Sequence, residues 1–176
     1  EVRNTSAGVQ FGYFEDPTPG KPNNSVQNAP PDDIVFSKES SMFTESFELT
    51  LSTSTPGSII RYTTDLSVPN NNKNNPSLRF QDPILIDEST QIRAQAFLPT
   101  ALDGAVKTET FLKMSQDVPT FSSDLPVIVI STLGKGSAPS TSSTTRRASH
   151  MFFFEPDPET GRTVLTAEPK LTTRAG

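Results

Sequence analysis

The chain has 176 residues, and 15 Lys+Arg against 20 Asp+Glu give a formal charge of -5, which bounds it to one large or two small domains. An acidic balance supplies no basic patch to release counterions from nucleic acid or to hold anionic headgroups, so both partners are excluded on charge. Hydrophobic residues are only 32 % of the chain, 16 Pro and 9 Gly break regular structure, and Ser and Thr are abundant, which excludes a helix bundle and leaves a thin β-rich core.

The absence of cysteine excludes a disulfide scaffold, thiolate zinc sites and a Cys nucleophile. No apolar run reaches the eighteen or so residues that span a bilayer, so no membrane span is expected. The opening Glu1-Val2-Arg3 and the closing alternation Lys170 to Gly176 read as cut points in a longer, already processed polypeptide.

Along the chain, Gly8 to Phe14 reads as one short strand, followed by a Pro/Asn/Asp-rich turn and linker whose residues 21 to 33 can bury almost nothing. From Ile34 to about Lys113, short period-two runs alternate with turn clusters. The expected strands are Ile34-Val35-Phe36, the stripe Phe47/Leu49/Leu51, Ser58 to Thr64 with Ile60 and Tyr62 inward, Pro83 to Ile86, Gln91 to Phe97 as a half-buried strand with Ile92/Ala94/Ala96 inward, and Lys107 to Lys113. Six or seven strands in about eighty residues fit an all-β, Ig-like or fibronectin-type-III-like sandwich, with Pro69 to Pro76 as an Asn-rich loop. After a connector at Met114 to Asp124, Leu125 to Ile130 is apolar and β-branched throughout, as in a strand covered on both faces within a second core. Gly134 to Ser149 reads as a mobile polar loop. Met151 to Glu155 and Arg162 to Thr166, flanking Pro156 to Gly161, read as a hairpin, and no helix is expected.

The segment Ser54-Thr55-Pro56-Gly57-Ser58-Ile59-Ile60-Arg61-Tyr62-Thr63-Thr64-Asp65, with Pro69 and the later Thr90 to Phe97, resembles the chitobiase/β-hexosaminidase C-terminal type of module. That module is an Ig-like sandwich with a Pro-Gly turn, an Ile-Arg-Tyr-Thr-Thr-Asp-Gly strand end and a closing Ile-Arg-Ala strand, and the likeness covers about 33–113. Leu66 stands where the pattern has Gly, which leaves open another turn geometry or an opening into the Asn-rich loop. Phe11-Gly12-Tyr13-Phe14 with Pro17 to Asn23 is similar to the end of a lamin-tail-like domain. Leu125 to Thr132 and Thr173 to Gly176 are similar to the opening strands of the CotH family of kinase-like proteins. The resemblances imply three regions: 1–30 as the last strand and linker of a lamin-tail-like domain, 31–115 as the sandwich, and 116–176 as the incomplete front of a CotH-like region. They also imply a secreted or cell-surface bacterial protein. The nucleotide- and metal-binding residues of CotH proteins would lie beyond Gly176, so no catalytic residue carries over.

The residues themselves offer little chemistry. His150 is the single histidine, so any Ser/His/Asp relay depends on it, and its place between a polar loop and Phe152-Phe153-Phe154 reads as structural. Asp32-Asp33, Asp82, Asp87-Glu88 and Glu155/Asp157/Glu159 sit beside Pro or Gly and read as solvated turn carboxylates rather than acid/base or cation sites. Gly134-Lys135-Gly136-Ser137 lacks the spacing of a phosphate loop. Arg146-Arg147-Ala148-Ser149 reads as solvated arginines, and Asn4-Thr5-Ser6 and Asn23-Asn24-Ser25 are sequons only where the host glycosylates. No catalytic residue, cofactor or metal is assigned, and no ligand-binding residue can be named. The expected function is a non-catalytic structural, spacer or docking module whose partners are neighbouring domains of its own polypeptide or other surface proteins. The first alternative is a carbohydrate-binding accessory module holding a polysaccharide. It is weakened by the absence of Trp, by an inward Tyr62, and by Phe43, Phe80 and Phe97, each readable as core or as platform. The second is the front of a CotH-like atypical kinase.

Overall fold

The computed structural model describes residues 2–5, 8–11, 29–72, 77–99, 101–116, 118–133 and 149–175. In chain order the strands begin with β1 (Val2–Thr5), β2 (Gly8–Phe11), β3 (Val35–Phe36), β4 (Ser41–Phe43), β5 (Phe47–Leu49) and β6 (Leu51–Ser52). Next come β7 (Ile59–Thr63), β8 (Leu78–Arg79), β9 (Ile84–Ile86), β10 (Thr90–Phe97) and β11 (Lys107–Lys113). After a 3-10 turn at Val118–Thr120 follow β12 (Ser122–Ser123), β13 (Val127–Ser131), β14 (Ser149–Phe154), β15 (Thr163–Val164) and β16 (Leu171–Ala175). The protein is all-β, in several sheets that do not close into a barrel, as expected of a sandwich of Ig/Fn3 type; among the described residues there is no α-helix. The expected linker as far as Asn28, the Gly134-to-Ser137 cradle, Arg146-Arg147 and the Asn23 sequon lie outside the described residues.

The strands fall into two compact units that interleave along the chain. The first comprises Glu1–Phe36, Leu51–Asp82 and Arg93–Thr108. Here β1 and β2 form an antiparallel hairpin, Val2 opposite Phe11, so the expected strand at Gly8 has a partner that the sequence reading missed. β3 pairs antiparallel with β6, Phe36 opposite Leu51. β7 is flanked by β8 and by the Arg93–Phe97 part of β10, Ala94 opposite Tyr62 and Ala96 opposite Ile60. The buried apolar side chains are Ile34, Phe36, Leu51, Ile60, Ala94, Ala96 and Phe97. The turn into β7 uses Pro56-Gly57, with Gly57 at φ 77, a left-handed conformation natural to glycine.

β10 departs from the half-buried expectation. Besides Ile92, Ala94 and Ala96, the opposite-face residues Gln91, Gln95 and Phe97 are buried as well. Both glutamine amide nitrogens find an acceptor, Gln95 Nε2 donating to Gly104 O at 2.8 Å and Gln91 Nε2 to Thr110 Oγ1 at 2.9 Å, while the buried Gln91 Oε1 has no partner among the described residues. Gly104 runs so close to this strand that a Cβ there would stand 3.0 Å from Ala96 O.

The second unit comprises Ser37–Thr50, Pro83–Ile92 and Glu109–Gly176. β4 runs parallel to β11, Ser41 opposite Phe111, and β5 pairs antiparallel with β9, Leu49 opposite Ile84. The run read as one stripe from Phe47 to Leu51 is therefore two strands, broken at Thr50, whose N–H donates to Ser37 Oγ and whose carbonyl accepts from Ser37 N–H. Phe47 stands edge-on to both Phe43 and Phe111, centroids 5.3 Å apart in each case, above fully buried Leu49, Ile86 and Ile92.

A three-stranded antiparallel sheet, order β13-β14-β16, completes this unit. Along β14 burial alternates: His150, Phe152 and Phe154 are inward, Met151 and Phe153 outward. Phe152, Phe154, Met114 and Leu165 form a cluster on which Val127 and Val129 pack. The expectation that Leu125 to Ile130 is covered on both faces is corrected here: Ile128 is 55 % and Ile130 64 % exposed. The pleat sends successive side chains to opposite faces, and only the valine face meets a packed layer. The expected hairpin is closed at its tip, where Asp157 N–H donates to Arg162 O and Gly161 N–H to Asp157 O, but its flanks pair elsewhere, β15 with β12.

Candidate functional site

The residues that carried the sequence resemblance are occupied with holding loops. Arg61 donates through Nε to Asn71 Oδ1 at 3.0 Å and through Nη1 to Ser77 O at 3.2 Å, while Ser77 Oγ accepts from Asn70 N–H. The described part of the Asn-rich loop is thus tied to β7. Arg93 Nη1 donates to Leu66 O at 2.7 Å. Asp65 Oδ1 accepts from both Ser67 N–H and Ser67 Oγ, and Thr63 Oγ1 donates to Ser67 O. Those bonds determine the turn, and Leu66 sits at φ 72 within it. The geometry that a glycine would adopt is retained with a leucine in the position, at a cost of roughly 1–2 kcal/mol for a β-carbon in the left-handed region.

Asp32 is likewise structural in its surroundings. Its Oδ2 accepts from Ser54 Oγ at 2.6 Å and Thr55 Oγ1 at 3.0 Å, and these hydroxyls hold the carboxyl below its ordinary pKa. Its carbonyl accepts from Thr53 Oγ1, so the entry segment is stapled to the turn before β7. Asp157 is held low by Thr160 N–H, the Thr160 hydroxyl and Glu159 N–H in a closed Asx turn. All the carboxylates singled out in the sequence are exposed, and among the described residues no group of three His, Cys, Asp or Glu could hold a metal.

The aromatic residues separate. Phe43 and Phe97 are core, Phe80 and Tyr62 half-buried, and burial pushes the Tyr62 phenol pKa up. Among the described residues the exposed ring is Phe121, which sequence reasoning did not single out.

Two features of the second unit were not legible in the sequence. Glu109 is buried, and its Oε2 accepts from Ser40 N–H at 2.7 Å and Ser40 Oγ at 2.5 Å, while Ser40 Oγ accepts from Thr110 N–H at 2.9 Å. On the same strand, Thr110 Oγ1 lies 3.1 Å from His150 Nδ1. The same oxygen accepts from Gln91 Nε2, and the His150 tautomer decides whether Nδ1 donates to it or accepts its proton. Nε2 is buried with no partner among the described residues, and burial lowers the His150 pKa. His150 stacks at 5.0 Å on Phe152.

A shallow cleft of about 510 Å³ in this unit is lined by Glu88, Ser89, Lys113, Met114, Ser115, Ser131 and Leu133. Lys113 is anchored by its N–H on Ser89 Oγ at 2.9 Å and its Nζ on Asp87 O at 2.8 Å. Leu133, at φ 51, closes one side, its N–H donating to Ser131 Oγ. One ammonium, one carboxylate and three hydroxyls can hydrogen-bond a polar ligand, but the lining contains no histidine and no aromatic ring.

Residues 49–111 match the Fn3 associated family model. The matched segment is a module of Ig/Fn3-like type and includes the Pro-Gly turn, both motif arginines and the left-handed Leu66. No curated protein and no solved structure matches the chain.

Proposed function

We propose that the chain is a non-catalytic structural module, a spacer or docking element that positions neighbouring domains of a larger secreted or cell-surface bacterial protein. The observation that carries this reading is the use of the polar motif residues. Arg61, Asp65 and Arg93, within the segment matching the Fn3 associated family, are spent on fixing their own turns and leave a stiff body. On this reading 31–115 is the sandwich of chitobiase C-terminal type, 1–30 ends a lamin-tail-like neighbour and 116–176 begins a CotH-like one.

A carbohydrate-binding role is the second reading, favoured by the hydroxyl-rich cleft around Lys113 and Ser131. Retention of the chain on insoluble polysaccharides separates the two. A spacer passes through chitin, cellulose and cell-wall matrices unretarded. Saturable retention that is lost when Ser131→Trp fills the cleft would overturn the spacer reading.

A further inference from the structure

The hydroxyl of Thr110 has one proton and two neighbours, and each neighbour can either donate or accept. Its Oγ1 accepts from Gln91 Nε2 at 2.9 Å and lies 3.1 Å from His150 Nδ1, whose role follows the tautomer. Thr110 is fully buried, so its proton needs an acceptor. Among the described residues two are in reach: Nδ1 of His150, or the Gln91 amide turned to present Oε1. If Nδ1 and Gln91 Nε2 both donated, the hydroxyl proton would be left buried and unpaired, which costs its full desolvation.

The three groups therefore have two self-consistent directions. In the first, Gln91 Nε2–H donates to Thr110 and the Thr110 hydroxyl donates to a bare Nδ1. In the second, Nδ1–H donates to Thr110 and the hydroxyl donates to Gln91 Oε1. The structure presents Gln91 Nε2 to Thr110, as the first direction requires. A second proton on the ring enters at Nδ1, which can then only donate, and this forbids the first direction. Gln91 is free to follow for a specific reason. A terminal amide torsion is broad and roughly two-fold, so a half-turn exchanges Nε2 and Oε1 in place. Gln91 Oε1 is buried with no partner among the described residues, so the half-turn breaks no bond except the one that it replaces.

We propose that Gln91, Thr110 and His150 form a polarity switch set by the proton on His150: the chain of bonds runs from Gln91 to a neutral ring, and reverses, with the Gln91 amide turned over, when the ring is charged. A proton taken up on β14 is thereby registered on β10, a strand of another sheet. Of the charged groups on the elements around the ring, Glu109 is bound to Ser40, Lys113 Nζ to Asp87 O, and Arg174 stands opposite His150 in the register. β4, β13 and residues 90–92 of β10 carry no charge.

The test is NMR of the isotopically labelled full chain, following the His150 ring nitrogens and the Gln91 side-chain NH2 from neutral pH downward, with circular dichroism marking the range in which the fold is intact. At neutral pH the ring is expected to carry its proton on Nε2, with Nδ1 bare. As pH falls, the Gln91 signals should shift in proportion to the protonated fraction of His150. Thr110→Val removes the pivot and should abolish the Gln91 shift while His150 still titrates. His150→Phe should abolish it too, which separates the ring from Glu109. A proton on Nδ1 at neutral pH overturns the proposal, and so do Gln91 signals that stay still while His150 titrates, or that move as before in either variant. A fold lost while the ring is still neutral overturns it as well, because the charged state would then not exist in the folded chain.

Discussion

His150 makes the stability of the second unit depend on pH. In the folded chain the ring is buried against Phe152 and the Thr110 hydroxyl, and Nε2 has no partner among the described residues, so charging it means holding an imidazolium away from water. The folded pKa is accordingly lowered, and the unfolded chain binds the proton more readily. Stability is therefore complete above the unfolded value of 6.5 and falls as pH drops below it, until the lowered folded pKa is reached. The slope is at most about 1.4 kcal/mol per pH unit, so acidification from pH 6.5 to 5 costs up to about 2 kcal/mol. The chain has one histidine, and the lowered Asp32 and Asp157 carboxyls lose their contribution only near and below the ordinary aspartate value of 3.8, so they leave this window untouched. Urea unfolding followed by circular dichroism at pH 7, 6 and 5 measures the slope, the chain having no Trp to report by fluorescence. His150→Phe keeps a ring beside Phe152, removes the titration and should flatten the profile between pH 7 and 5. A wild-type profile already flat there, or a variant with an undiminished slope, refutes the burial argument.

Five further substitutions, at four positions, probe the packing and the loop ties. Leu66→Gly removes the strain at φ 72 against the added freedom of the unfolded chain, so it should be neutral or stabilising by up to about 1 kcal/mol, whereas Leu66→Val should destabilise; thermal unfolding of the two decides the sign. Phe152→Ala should cost about 3–5 kcal/mol in urea unfolding, while Leu125→Ala, at an exposed position, should stay within about 0.5 kcal/mol. Arg61→Lys keeps the charge but loses the Nε donor to Asn71, and should speed hydrogen exchange at Asn70 and Asn72 without changing exchange along β10.

The sandwich strands were readable where hydrophobic alternation is long enough to register. β7, β10 and β11 stand where the pattern placed them, while β4 and β8, three and two residues long, carry too little pattern to be seen. Burial on the second face of β10 was hidden because Gln91 and Gln95 read as solvent-facing, and only their acceptors on Thr110 and Gly104 make them interior residues. In β13 the failure ran the other way. A β-branched apolar run looks the same whether one face or both are covered, and Ile128 and Ile130 differ from Val127 and Val129 only in what stands above them. The departure at Leu66 was visible in the sequence, but not its outcome, because Arg93 and Asp65, distant and adjacent respectively, jointly set that turn. The His150–Thr110–Gln91 chain links residues from three separate stretches, and no spacing along the sequence announces it.

The claim that this chain is an accessory stretch of a larger polypeptide is tested most directly by the intact mass of the protein as its source organism produces it. The account predicts a mass well above the 19.1 kDa of these 176 residues. A native product of the same mass as this chain would contradict it and would shift attention to the sandwich and the Lys113 cleft as a binding unit in their own right.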